Sequence, residues 1–178
     1  MKTLTPKTIT LVLASFMYCS LFSQTLVNNS PNAHLKQVMP LVGKWSGEGW
    51  IQQQDGTRVE FNQTEDIYTK LDGKVLVVNG MATLKSTGEK VFEAMGILNY
   101  SKAKDKYFFN TYTLAGEHSV AEVEIGEGKF DWWFKVPNGG TVKYTINFTE
   151  TTWSEDGVYS ADGENWYPFF HMDLTKDQ

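Results

Sequence analysis

The side chains best placed to do chemistry are Gln63 and Glu65. Read with a period of two, Val59, Phe61, Gln63, Glu65, Ile67 and Thr69 share one face of an extended run, and Glu60, Asn62, Thr64, Asp66, Tyr68 and Lys70 share the other. If the first face points inward, one amide and one carboxyl group enter an apolar interior. A buried carboxyl resists ionisation, which suits a general acid or a group that orients a ligand. General acid–base work also needs a partner base. The sequence offers none at a legible spacing, so no catalytic residue is assigned and the chain is expected not to be an enzyme. The plainer alternative places Gln63 and Glu65 at a wet mouth with no specific role.

Other constellations carry less. The three histidines, His34, His118 and His171, are scattered, and the single cysteine, Cys19, lies near the start, so no zinc spacing exists. There is no Gly-x-Ser-x-Gly nucleophile elbow. Gly126-Glu127-Gly128 precedes no helix and is a hairpin turn, not a phosphate cradle. Asp156, Asp162 and Glu164 are spaced too sparsely for a calcium loop of the EF-hand kind. Ser160–Trp166 reads as a tight hairpin with a packed Trp. His34 and His118 read as solvated surface residues.

These side chains need a scaffold, and the pattern from Gly43 onward is all strand. Leu41–Trp50 reads Leu-Val-Gly-Lys-Trp-Ser-Gly-Glu-Gly-Trp, with Gly43, Trp45, Gly47, Gly49 and Ile51 on one face. Glycines in a strand mark a bend or a close backbone approach. Here they let a first strand coil and leave room for one anchoring indole, Trp45. Turn signals recur at hairpin spacing: Asp55-Gly56, Asp72-Gly73, Ser86–Gly88, Ala103–Asp105, Ala115-Gly116, Gly126–Gly128, Pro137–Gly140, Asp156-Gly157 and Asp162-Gly163. Phe130, Trp132 and Phe134 alternate with polar partners, as do Val142, Tyr144, Ile146 and Phe148, so these strands are half-buried. The count is about ten strands with no helix between them, which excludes βαβ units. A meander of that length closes, because closure removes the exposed edges. The expected fold is therefore all-β, a closed antiparallel up-and-down barrel. A short helix over 31–40, ended by Pro40, covers one mouth.

Ahead of it, Lys2, Lys7 and an apolar run from Ile9 to Phe22 fit a signal peptide cleaved after Ser23. The run is too short for an ordinary spanning helix. Bulky Tyr18 before Cys19 disfavours lipid attachment. The expected divisions are 1–23 signal peptide, 24–40 leader and short helix, and 41–178 barrel, with export to the periplasm or the exterior. Cleavage removes two lysines and no acid, which takes the net charge from −5 to −7. With Arg58 the sole arginine and no basic patch, a nucleic-acid partner is not expected. Neither is membrane insertion of the mature chain.

The segment Leu41–Gly49 resembles the first strand of calycin-type barrels. Two groups share it: nitrobindin, whose strand also reads Gly-x-Trp-x-Gly-x-Gly, and secreted lipocalin-like proteins of Bacteroidetes-type bacteria. The second likeness extends to Gly96-Ile97-Leu98-Asn99-Tyr100, Asp131-Trp132-Trp133-Phe134 and Trp166–Leu174, and covers most of residues 35–175. It implies a secreted barrel and no particular activity. Nitrobindin implies a haem held by a histidine on a late strand, where His171 is the candidate. Parity opposes that: Trp166, Phe170, Met172 and Leu174 form the apolar face and His171 the other. No cofactor and no metal are expected. The favoured reading is a lumen that holds a small apolar or amphipathic molecule against Trp45, Gln63, Glu65, Phe134 and Tyr144. The rival reading is a packed barrel acting through its surface as an interaction or structural protein.

Overall fold

The computed structural model describes residues 33–137 and 139–178. The expected signal peptide, its cleavage point and most of the leader lie outside the described residues. A 3-10 helix, Ala33–Leu41, leads into ten strands. These are β1 (Gly43–Gln52), β2 (Arg58–Lys70), β3 (Val75–Leu84), β4 (Lys90–Ser101), β5 (Lys106–Thr113), β6 (His118–Gly126), β7 (Lys129–Lys135), β8 (Thr141–Phe148), β9 (Thr152–Ser160) and β10 (Tyr167–Lys176). Each strand pairs antiparallel with its chain neighbours, and β10 pairs with β1, so the sheet closes as a ten-stranded barrel. Among the described residues no helix is long and apolar enough to cross a membrane.

The expected alternation sets the inside. Trp45, Phe61, Ile67, Leu76, Leu98, Phe109, Phe130, Ile146, Trp153, Met172 and Leu174 form one buried core. One end is closed by the helix. Its buried residues, Leu35, Val38 and Leu41, recur every third position, which is the repeat of a 3-10 turn and explains why this form replaces an α-helix. Pro40 lies inside the helix rather than ending it. The carbonyls near the end of the helix find side-chain donors: Trp45 Nε1 donates to Leu41 O at 2.7 Å and Lys176 Nζ to Pro40 O at 2.7 Å. Tyr107 Oη donates to His34 O at 2.7 Å, tying the helix to β5. His34 itself stacks on Tyr100 at 3.5 Å, so it packs at the closed end instead of standing in solvent.

The first-strand glycines mark a close backbone approach, as expected. A Cβ at Gly47 would lie 2.0 Å from Asp173 O, and one at Gly49 would lie 2.2 Å from His171 O and 2.7 Å from the Phe61 ring. They admit the β10 backbone and a neighbouring ring. Asp156-Gly157 is not a turn but the middle of β9, paired with Thr145-Tyr144 and with His171-Phe170. The β8–β9 turn falls at 149–151 without a glycine, where Thr149 Oγ1 accepts from the Thr151 and Thr152 amides at 3.2 and 3.0 Å. Finally, Trp166 is 40% exposed and not packed. Its hairpin is held by Asp162, whose carboxylate accepts from the Glu164 and Asn165 amides at 2.8 and 2.9 Å and from Asn165 Nδ2 at 2.8 Å.

Candidate functional site

The inward positions change character along the barrel. Toward the helix Trp45, Ile67, Leu76, Leu98, Phe130, Ile146 and Trp153 are buried, and Tyr107, Val123 and Ile125 are half-buried. Toward the β7–β8 and β9–β10 hairpins, inward Trp132, Phe134, Val142, Tyr144 and Phe170 are only half-buried. An inward side chain meets water through a mouth, so these rings form a shallow, partly exposed cup at this end.

Aromatic rings line the cup. Trp132 stacks on Tyr144 at 4.2 Å and lies 5.9 Å from Phe134. The edge of Phe170 faces Tyr144 at 5.6 Å, and Phe61 stacks on Phe170 at 5.7 Å. Glycines make this packing possible. At Gly157 a Cβ would meet Phe170 Cβ and Tyr144 Cε1, each at 2.9 Å.

Beneath the rings lies a polar layer. Gln63 is 5% exposed and Glu65 7%, both inward as their parity predicts. Gln63 Nε2 donates to Glu65 Oε1 at 2.7 Å, while Glu65 Oε2 is buried with no hydrogen-bond partner. The carboxylate lies over Gly80, where a Cβ would meet Oε1 at 2.5 Å. A third member, Glu155, is 5% exposed on β9, between Ile146 of β8 and Met172 of β10. Burial raises the Glu65 carboxyl to about 7, against the opposing hydrogen bond from Gln63. Burial likewise raises Glu155 to about 8, and the nearby charge of Glu65 adds to the rise. The Trp132 and Trp153 indole N–H groups temper it, although Trp153 Nε1 makes no hydrogen bond of good geometry. Tyr144 is pushed well above its ordinary range by burial and by the Glu155 charge, so its hydroxyl remains a proton donor.

Strand parity in the sequence therefore marks two of the three polar residues. It misses Glu155 because Asp156-Gly157 looks like a turn, which breaks the alternation Trp153, Glu155, Gly157, Tyr159. Of the five side chains expected to meet a ligand, Gln63, Glu65, Phe134 and Tyr144 face the lumen in or just beneath the cup. Trp45 faces the lumen too, but it is 0% exposed, hydrogen-bonded to the helix and set edge-on to Trp153 at 5.8 Å in the packed half. It belongs to the floor and not to a ligand surface.

A haem held by His171 does not fit. His171 points outward, with Nδ1 2.8 Å from Asp156 Oδ1 and Nε2 3.1 Å from Asp173 Oδ2. Burial alone would depress its pKa, but the two carboxylates overcome this and raise it. His118 is also outward and stacks on Tyr112 at 4.6 Å. Among the described residues no group of three His, Cys, Asp or Glu is arranged to hold a metal ion. Among the described residues one surface groove runs across β1, β8, β9 and β10 and another across β3, β4 and β5. Each has a single charged residue in its lining, Asp173 or Glu93, and neither brings ionisable groups together as the cup does.

No family model matches the chain, and no curated protein matches it. Solved structures do. Rv2717c from M. tuberculosis superimposes with a TM-score of 0.64 at 12% identity, covering 84% of this chain and 100% of that one. The S-type phycobiliprotein lyase CPES from Guillardia theta gives a TM-score of 0.54 at 12% identity, covering 78% and 89%. At such identity the likeness concerns the fold alone, and it fits a calycin-like barrel. One of the two carries the name of a lyase, so the comparison lends no support to the expectation that this chain is not an enzyme.

Proposed function

We propose that the chain is a small-molecule-binding barrel, exported from the cell, that takes an apolar or amphipathic molecule through its open mouth. One observation carries the reading. A buried polar layer of Gln63, Glu65 and Glu155 lies among inward side chains next to half-buried aromatic rings at the end away from the helix. Apolar walls favour a ligand by roughly 25 cal/mol per Å² removed from water, and a few polar groups fix its orientation. Barrels of the same shape include the lyase named above, which accords with a small-molecule role.

Titration with a fluorescent apolar probe tests the proposal. Saturable binding to the wild type that weakens in Phe134→Ala is expected, since Phe134 walls the cup without anchoring its floor. Absence of saturable binding would leave the rival reading, action through the outer surface. That reading has its own observation: Met81, Met95, Tyr112, Leu114 and Val120 are exposed along β3–β6 and the β5–β6 turn. Export is tested by the intact mass of the secreted protein. A chain beginning at Gln24 is expected, and one retaining residues 1–23 or a lipid on Cys19 would overturn it.

A further inference from the structure

We propose that the molecule taken into the cup is an organic amine with an apolar body, its ammonium group seated against the Glu65 and Glu155 carboxyl groups. The inference rests on the binding-barrel reading and adds the chemistry of the ligand's polar end.

The geometry supplies the argument. Glu65 Oε2 is buried among the inward side chains and accepts no hydrogen bond. An unpaired carboxyl oxygen buried in that position is costly, and a ligand donor relieves it when the group ionises. Glu155 is near enough for the Glu65 charge to act on it. Two carboxyl groups that feel each other's charge repel when both are ionised, and a cation seated between them removes the repulsion. The described residues supply no such cation. Along the inward positions of the ten strands the one basic residue is Lys176, at the closed end, where its Nζ is bonded to Pro40 O and stands 4.9 Å over the Trp45 ring. The remaining polar neighbours, Gln63, Tyr144 and the Trp132 and Trp153 indoles, are uncharged, and Asp156 on the outer face of β9 adds a further negative charge.

The carboxyl pair is partly protonated at neutral pH, so seating an ammonium expels protons to solvent. Nothing covalent changes. The ligand keeps its charge, and the proton lost comes from Glu65 or Glu155.

Calorimetry on the full exported chain with three probes of one shape tests this: 1-naphthylmethylamine, 1-naphthalenemethanol and 1-naphthoic acid. At pH 7 the amine is expected to bind about tenfold or more tighter than the alcohol, the step of one charge-assisted hydrogen bond, with the acid weakest. Repeating the amine titration in buffers of different ionisation enthalpy should show net proton release, and the alcohol should show none. Glu65→Gln and Glu155→Gln, nearly isosteric and checked for wild-type circular dichroism, should each bring amine and alcohol close to parity. Equal amine and alcohol affinities in the wild type, or a preference for the acid, would overturn the amine assignment while leaving a binding barrel. Binding of the neutral fluorescent probe without any amine binding would do the same. Failure of the neutral probe as well would sink both readings.

Discussion

Trp45 shows how much one side chain does in this barrel. It is fully buried, its indole N–H donates to Leu41 O at 2.7 Å, the Lys176 ammonium stands over its ring, and Trp153 meets it edge-on. It therefore joins the 3-10 helix, β1, β9 and β10 at one point. Truncation would leave a cavity and an unpaired Leu41 carbonyl. Trp45→Ala is expected to lower unfolding stability by about 3–5 kcal/mol, a large fraction of a domain's usual margin. A denaturant midpoint close to wild type would show that the indole is not an anchor. This residue was readable in the sequence, because one indole among glycines on a single strand face has few other uses. Gln63 and Glu65 were readable for the same reason of parity. Glu155 was not. Its inward position depends on β9 running straight through an Asp-Gly pair, and nothing local in Trp153-Ser154-Glu155-Asp156-Gly157 says that it does.

At the scale of elements, the deciding feature is what glycine is for. Strand alternation and most hairpin turns followed from composition, since Gly56, Gly88, Gly116 and Gly163 have positive φ and open space around them. Gly157 has neither. Its backbone is extended, and its missing side chain is the space that the Tyr144 ring and Phe170 fill. Only the tertiary contact separates the two uses, so the sequence pattern reads both as turns. Gly157→Ala is expected to destabilise by about 1–3 kcal/mol through overpacking. It should also weaken probe binding, because Tyr144 must tilt. Gly126→Ala is the control: a Cβ there has no neighbour nearer than Lys129 Cβ at 4.0 Å, so its effect should stay within about 0.5 kcal/mol. Equal effects of the two substitutions would remove Gly157 from the account of the cup. The helix shows the same limit of legibility. Its existence and its place at a mouth were readable, but its 3-10 form depends on Leu35, Val38 and Leu41 meeting the barrel together.

At the scale of the whole molecule, the polar layer makes folding depend on pH in a particular direction. Glu65 and Glu155 have folded-state values near 7 and 8 against 4.5 for an ordinary glutamate, so both are held in the neutral form by the fold. A carboxyl whose folded value is raised contributes its full stability below the unfolded value and loses it as pH rises through the folded one. Stability from these two groups should therefore fall between about pH 4.5 and 8 and level off above. Asp131 works the other way. Burial opposes its ionisation, but Thr145 at 2.5 Å, Lys129 at 2.9 Å and Lys143 at 3.6 Å hold its pKa below the ordinary value. Its contribution is present above the usual aspartate range and is lost as pH falls through its folded value. The two effects occupy different windows, so they separate on a pH scale. Glu155→Gln keeps an acceptor toward Trp132 and removes the charge. It is expected to stabilise the barrel at pH 8 by more than about 1 kcal/mol, the worth of roughly one pKa unit, and to have little effect at pH 4. Urea unfolding of the two proteins at both pH values measures this. A destabilised variant at pH 8, or an equal gain at pH 4, would mean that Glu155 is not held neutral. A gain confined to high pH would show that the barrel sacrifices stability to keep an ionisable pair beneath its mouth, as binding sites commonly do.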